Sequence, residues 1–174
     1  LKDNGITPIS VDGIDRWPVQ RYIAMMPFRM TGNEYIINLR DGKASMGDET
    51  GRQAVEFLQE IGQYFNEGFG ATDYATAQSM FLDGKSAMYY IGDWEQAAML
   101  EAYNAGKVDY FYLPTAEGAK TGANEFCVNS GIGMAFNTQT FDAKTKDFIK
   151  YVIENYGNIY AGRMQMSPIK TELP

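Results

Sequence analysis

The residues best suited to contact a small ligand are Asp93 and Trp94, which stand together in the run Gly92-Asp93-Trp94. A Trp ring offers a flat apolar face, and a carboxylate accepts hydrogen bonds from hydroxyl groups. Gln96 follows Asp93 by three residues, and this spacing predicts a capping box that puts Trp94 at the first position of a helix. A ring held there cannot easily turn into the core face of its own helix, so it is available to stack on a ligand.

The elements before Asp93 must bring it to the end of a strand. Gly84 ends a short amphipathic helix, residues 86–91 are typical of a buried strand, and Gly92 turns the chain into the next helix. In α/β folds, ligands bind beyond the carboxyl ends of the strands. Asp93 and Trp94 are therefore predicted at such an edge.

A second aromatic candidate, Trp17, follows the first predicted strand, residues 6–11. Because Trp buries much area wherever it lies, packing on the local core and contact with a ligand are both open interpretations. Arg16, Asp12 and Asp15 lie in the turn before Trp17 and could hydrogen-bond a ligand. A solvated turn is the more common role of such residues.

The rest of the chain alternates between helical and extended patterns, which indicates an α/β fold. The other predicted elements are, in chain order, a helix opening at Trp17-Pro18 with a kink at Pro27, a loop or irregular helix over 34–43, a helix over 48–66, a helix capped by Thr72 or Asp73, a helix from Trp94 to Gly106, a strand over 108–113, a loop over 114–124, a strand over 126–136 and a helix from Asp142 to Gly157.

Composition narrows the function classes. The 174 residues carry a net charge of −7, which argues strongly against a nucleic-acid surface and against electrostatic binding to an anionic membrane. The chain has no His and one Cys, so no metal, other cofactor or intrachain disulfide is predicted. No stretch approaches the roughly 20 apolar residues of a membrane span, so direct membrane insertion by this segment is not expected.

Catalytic machinery is not visible in the sequence. Asp93 and Glu95 are candidates for a carboxylate pair, but residues two apart at a helix start point in divergent directions, which does not fit an opposed pair about 5 Å apart. The run at 131–136 does not fit a dinucleotide fingerprint, and no Gly-x-Ser-x-Gly or phosphate loop is present. A binding protein is predicted rather than an enzyme, with a carbohydrate-active enzyme as the alternative from another class.

Two sets of residues resemble a known family. The motif Phe-x-x-Gly-Lys-x-Ala-Met at 81–88, followed by Gly-Asp-Trp at 92–94, resembles the most recognisable stretch of the family 1 extracellular solute-binding proteins. These are the sugar receptors of ABC importers related to maltose-binding protein. The residues at 5–9, 12–13 and 17–18 resemble the family's pattern at the start of its carboxy-terminal lobe.

The resemblance implies a periplasmic-binding-protein-like type II fold, of which this chain is a carboxy-terminal fragment. Residues 1–122 are expected in the carboxy-terminal lobe. Residues 123–157 are expected to cross to the amino-terminal lobe or hinge, and residues 158–174 to begin the return to the carboxy-terminal lobe. The strand over 126–136 would then form one wall of the cleft between the lobes.

The resemblance also implies site residues. In the family, the Trp after the Gly stacks on a sugar ring, and Trp94 is the matching position. The region around Glu125 is placed at the cleft. Together with the residues chosen for their chemistry, the predicted ligand-binding set is Trp94, Trp17, Asp93, Glu125, Asn129, Ser130 and Arg16.

The implied function is that of the substrate-binding component of an ABC transporter. Such a protein binds a carbohydrate between two lobes and delivers it to the transmembrane subunits of the permease. It is expected outside the cytoplasmic membrane, extracellular or periplasmic, with a lipid anchor in the full-length protein. A non-sugar ligand such as a polyamine is the alternative within the receptor class.

Overall fold

The computed structural model describes residues 1–125 and 133–163. These residues form two compact units: unit 1 comprises 1–91 with 106–125, and unit 2 comprises 92–105 with 133–163. Most of the strand predicted at 126–136 lies outside the described residues, and its described part, 133–136, is irregular. No helix within the described ranges is long and apolar enough to cross a membrane.

Unit 1 is built on a two-stranded parallel sheet. β1 (Thr7–Ser10) pairs with β2 (Ser86–Tyr89), with Ile9 opposite Met88. On the other side of β1, Phe65 forms a parallel bridge with Ile9. The strands predicted at 6–11 and 86–91 are confirmed over a shorter length. Their carboxyl ends meet at one edge, which is where α/β folds bind ligands.

The described residues contain α-helices and short 3-10 turns. The α-helices are α1 (Trp17–Thr31), α2 (Glu34–Arg40), α3 (Glu49–Gly62) and α4 (Tyr74–Leu82) in unit 1, and α5 (Gln96–Asn104) and α6 (Ala143–Gly162) in unit 2. Pro27 lies inside α1, as expected. The segment at 34–43, which the sequence left between loop and irregular helix, is helical over most of its length.

Aspartates cap three of these helices. The Asp48 side chain accepts from Gly51 N, the Asp73 side chain from Thr76 N, and the Asp142 side chain from Thr145 N. These bonds to backbone N–H groups lower the pKa of all three carboxyls below the ordinary Asp value. The cap predicted at Thr72 or Asp73 is Asp73, and the cap predicted at Asp142 is confirmed.

The caps predict an acid-sensitive stability. A carboxyl whose pKa is lower in the folded state stabilises that state above its unfolded pKa, and the contribution is lost as pH falls through the folded value. Urea unfolding midpoints should therefore begin to drop below about pH 5 and keep dropping through the folded pKa values, which lie below the ordinary Asp value of 3.8. Asp142→Asn should reduce this dependence more than Asp147→Asn, an equal charge change at an exposed position of α6. Equal slopes for the two variants would contradict the prediction.

Two element predictions are wrong. The segment at 108–113 is not a strand, and its Tyr110, Phe111 and Tyr112 rings are exposed. No strand pairs with this segment among the described residues, and β-propensity depends on neighbouring strands to pack against.

The second error is the end of α6, which continues through Gly157 to Gly162. Tyr156 and Tyr160, one turn apart, stack with ring centroids 4.5 Å apart, and their hydroxyls lie 2.8 Å apart. This pair spans the glycine, and Gly157 itself is buried. A contact of this kind offsets the roughly 1 kcal/mol by which glycine weakens a helix.

The core of unit 1 lies against the sheet. Tyr22 of α1 packs its ring against Phe65 at 5.0 Å and against Tyr90 at 5.1 Å between centroids. Ile9 and Val11 of the first strand region complete the buried cluster. Burial raises the pKa of Tyr22 above its ordinary value. This core fixes α1 on the strands whose ends carry the candidate site residues.

Candidate functional site

Two loops at the carboxyl end of β1 are joined by hydrogen bonds. Asn66 is buried; its Oδ1 accepts from Val11 N at 2.8 Å, and its Nδ2 donates to Thr72 Oγ1 at 2.9 Å. Gly13 N and Ile14 N both donate to Thr72 O, at 3.1 and 3.3 Å. The loop after β1 is therefore fixed to the segment that leads into α4.

Gly13 permits this close approach. A Cβ atom on Gly13 would overlap the carbonyl of Phe69 and the Cα of Gly70. The sequence marks Gly13 as a turn residue only, because nothing local shows which backbone passes beside it.

Asp12 is buried at the start of the same loop, with 1% of its surface exposed. Its Oδ1 accepts from Asp15 N at 3.0 Å, and its Oδ2 has no hydrogen-bond partner in the described part of the chain. The solvated-turn interpretation is therefore wrong for Asp12, whereas Asp15 is exposed. When protonated, the Asp15 carboxyl can donate a hydrogen bond to the Asp12 side chain, and this bond, with partial desolvation and the nearby charges of Asp12 and Asp73, raises the pKa of Asp15.

Trp17 begins α1 and is half-buried. Its ring centroid lies 5.8 Å from that of Tyr74, the first residue of α4, with an angle of 35° between the rings. The guanidinium carbon of Arg21 lies 5.0 Å from the Trp17 ring centroid. Trp17 thus packs on its neighbours and also keeps part of its surface exposed, so its contact with a ligand stays a prediction.

Arg16 is exposed and has an unusual backbone. Its φ of 64° is the only positive value at a non-glycine residue in the described ranges. Asp15 O accepts a 2.7 Å hydrogen bond from Trp17 N across Arg16. The structure therefore places Arg16 and Trp17 together at the end of β1.

Asp93 and Trp94 lie in unit 2, in a 3-10 turn formed by Asp93–Glu95 directly before α5. The predicted capping box is wrong. Gly92, and not Asp93, is the N-cap of the turn. The tight turn begins with Glu95 N donating to Gly92 O at 3.2 Å, so Asp93 lies inside it instead of at its cap.

The Trp94 ring folds back over Gly92. A Cβ atom on Gly92 would overlap the ring carbons Cζ3, Cη2 and Cε3 of Trp94. Gly92 has φ of −89°, which any residue adopts, so this position needs space and not glycine's conformational freedom. Trp94 is half-buried. Its contact with the Trp94 ring therefore adds Gly92 to the candidate site. The sequence indicated only a turn at Gly92.

Glu125 ends the described part of the loop that precedes residue 126. Its Oε1 accepts from Gly122 N at 2.6 Å, and its carbonyl accepts from Arg29 Nη1 at 2.8 Å. The sequence did not single out Arg29, whose type alone does not show a buried role. Asn129 and Ser130 lie outside the described residues, and the ligand role of Glu125 stays a prediction.

Other kinds of site receive no support from the described residues. They contain no group of three or more His, Cys, Asp or Glu residues that could hold a metal ion. An open depression of about 360 Å³ on unit 2 includes none of the predicted ligand-binding residues. It is lined by Phe141, Lys146, Ile149, Lys150, Ile153 and Glu154.

Known proteins share this sequence pattern. The family described as bacterial extracellular solute-binding protein matches residues 7–171. An uncharacterized ABC transporter extracellular-binding protein of Pyrococcus horikoshii is 26% identical over 118 residues, which are 68% of this chain and 27% of that protein. A probable sugar-binding periplasmic protein of Rhizobium meliloti is 24% identical over 127 residues, 70% of this chain and 30% of that protein.

Solved structures share the fold. A structure from work on xylan utilization by Caldanaerobius polysaccharolyticus has a TM-score of 0.63 at 30% identity and covers 70% of this chain and 32% of that one. A chitin oligosaccharide binding protein has a TM-score of 0.60 at 23% identity, covering 67% of this chain and 30% of that one. The chain thus spans about a third or less of the length of these relatives. It belongs to the bacterial extracellular solute-binding proteins and has their α/β fold.

Proposed function

We propose that this chain is part of the substrate-binding component of an ABC importer, and that the complete receptor binds a carbohydrate between its two lobes. The observation that carries the proposal is the half-buried Trp94 ring, held over Gly92 in the turn that follows β2. Membership of the solute-binding family supports it, and so do relatives named as sugar-binding proteins.

The chemistry of the site residues suits a sugar. A sugar ring has apolar faces for stacking and hydroxyl groups that donate hydrogen bonds. Trp94 supplies the aromatic face, and the neighbouring Asp93 carboxylate supplies an acceptor for the hydroxyl groups. Trp17 supplies a second aromatic surface at the end of β1, with Arg16 beside it. Glu125, Asn129 and Ser130 complete the proposed set.

The role in transport follows from the family. Within the complete receptor, residues 1–122 form the carboxy-terminal lobe, residues 123–157 cross to the other lobe or hinge, and residues 158–174 begin the return. The receptor is extracellular or periplasmic, and a lipid anchor holds it at the outer face of the cytoplasmic membrane. Ligand favours the closed form of the receptor, because only that form contacts the ligand from both lobes. The closed form presents the ligand to the transmembrane subunits of the permease. The receptor binds and does not cleave its ligand.

A polyamine is the second candidate ligand, favoured by one observation. A side-chain hydrogen bond with Asp12 and the charges of Asp12 and Asp73 raise the pKa of Asp15, and Trp17 stands two residues after Asp15. Carboxylates beside an aromatic ring suit an ammonium group. A glycoside hydrolase, the alternative from the enzyme class, has no such observation in its favour.

The test is calorimetric titration of the full-length receptor with mono- and oligosaccharides and with a polyamine. We expect a dissociation constant of about 1 µM or tighter for one sugar, a change in Trp fluorescence, and no cleaved product after long incubation. Binding of the polyamine alone would replace the carbohydrate by a cationic ligand. Cleaved sugar would show an enzyme instead of a receptor.

A further inference from the structure

The turn before Trp17 stores backbone strain. Arg16 has φ 64° and ψ −36°, and the Trp17 N to Asp15 O hydrogen bond of 2.7 Å closes a three-residue turn around it. This is a γ-turn with a positive central φ, a rare and strained conformation for a residue with a side chain. Such strain persists only where the surrounding structure holds the backbone in place.

The surrounding structure does hold this turn. Buried Asp12 accepts from Asp15 N at 3.0 Å, which fixes the first residue of the turn. The preceding Gly13 and Ile14 are bonded to Thr72 O. Helix α1 begins at Trp17 and fixes the last residue. The γ-turn is therefore clamped on both sides.

The turn determines where the Trp17 ring lies. That ring meets Tyr74 at 5.8 Å, and Tyr74 begins α4 directly after its cap, Asp73. Because Thr72 also receives the hydrogen bonds of the β1 loop, the two aromatic residues are carried by segments that are bonded to each other. The result is a pair of rings from two helices at the carboxyl edge of β1.

We propose that the strained turn is a positioning device for ligand binding. It presets the part of the Trp17 ring that Arg21 leaves exposed, together with Tyr74, as an aromatic platform for the apolar face of a sugar. Arg16 acts as the positioning residue through its backbone conformation. The proposal rests on the proposed carbohydrate receptor, and it adds Tyr74 to the ligand-contacting residues. It also gives Arg16 a role that does not depend on its guanidinium.

Two substitutions at the same position separate backbone from side chain. Arg16→Gly and Arg16→Ala both remove the guanidinium, but only glycine adopts a positive φ without strain. In the full-length receptor, Arg16→Gly should unfold at a higher temperature than Arg16→Ala. Arg16→Gly should nevertheless bind the sugar about threefold to tenfold more weakly than Arg16→Ala, because the loosened platform must be ordered when the ligand binds. A purely structural role would change stability and affinity in the same direction.

A second measurement needs no ligand. In the receptor labelled with 5-fluorotryptophan, the fluorine NMR signal of Trp17 is assigned by its loss in Trp17→Phe. The Arg16→Gly variant should give a sharper Trp17 signal, shifted towards that of a solvent-exposed ring, relative to Arg16→Ala. Tyr74→Ala should weaken sugar binding about fivefold or more if its ring contacts the sugar.

The outcomes distinguish the two proposals. If no sugar binds the unaltered receptor but the Trp17 signal changes as expected, the carbohydrate function fails and the positioning role of the turn stands. Equal affinity and equal Trp17 signals for the glycine and alanine variants would overturn the positioning role. A glycine variant less stable than the alanine variant would show that the turn holds no strain and would overturn it as well.

Discussion

Replacing Trp94 with Ala in the full-length receptor is expected to weaken carbohydrate binding by about 1–3 kcal/mol, or roughly 5- to 150-fold. The loss follows from removing the aromatic face on which an apolar sugar face stacks. Calorimetry measures it directly. An unchanged dissociation constant would mean that Trp94 only packs on its own turn, and the carbohydrate proposal would lose its main support.

Gly92→Ala keeps the Trp94 ring and tests whether its position matters for binding. A methyl group at position 92 would overlap three carbons of the Trp94 ring, so the ring must move. We expect an affinity loss similar in size to that of Trp94→Ala. The matched control is Gly162→Ala on α6, where a Cβ atom would meet nothing within 4 Å and affinity should not change.

Thermal unfolding of these variants separates a moved ring from a damaged fold. If Gly92→Ala binds the sugar normally while Trp94→Ala does not, the Trp94 ring contributes to affinity but does not have to lie over Gly92. If Gly162→Ala loses affinity as well, the losses reflect general damage to unit 2 and not the ring.

The parts of the fold set by local signals could be predicted from the sequence. Asp73 and Asp142 were recognisable as caps because an aspartate before a helical pattern bonds the free N–H groups of the first turn. The strands at β1 and β2 were recognisable from short apolar runs beside turn residues. Neither signal depends on distant parts of the chain.

The wrong predictions concern segments whose structure depends on distant or competing contacts. Asp93 has the spacing of a capping box, but the 3-10 turn starts one residue earlier and places it inside. Gly157 has the character of a helix end, yet the Tyr156–Tyr160 pair spans it. The segment at 108–113 has strand character without a paired neighbour in the described ranges.

The candidate site shows the same division. Trp17 and Trp94 were identified because an aromatic residue after a strand is visible in the sequence. The roles of Asp12, Gly13 and Gly92 depend on burial and on which atoms pass beside them, and no local pattern shows that. Arg29 is the clearest case, since its partners are more than 80 residues away along the chain.

Among the proposed substitutions, Arg29→Met is expected to lower the stability of the fold most. Arg29 is 5% exposed and donates to Gly122 O at 2.7 Å, to Glu125 O at 2.8 Å and to Leu113 O at 2.9 Å. A planar guanidinium can serve several carbonyls at once, whereas methionine serves none. Leaving partly buried carbonyls unpaired should lower the free energy of unfolding by about 2–4 kcal/mol.

Two further variants test whether the carbonyl contacts cause this loss. Arg29→Lys keeps the charge but lacks the planar set of donors, so it should fall between wild type and Arg29→Met. Arg40→Met removes an exposed arginine whose ion pair with Asp41 lies on the surface, and it should cost no more than about 0.5 kcal/mol. Urea unfolding of the full-length receptor measures all three.

The same contacts connect stability to the proposed site. The Arg29 side chain holds the loop up to Glu125, the last described residue before the gap, and Lys120 N and Thr121 N also donate to Arg29 O. If the loop positions ligand-contacting residues, Arg29→Lys should weaken sugar binding even at temperatures where the protein remains fully folded. An Arg29→Lys variant that loses stability but binds normally would limit the arginine to a structural role. A loss no larger than that of Arg40→Met would show that the loop stays in place without it.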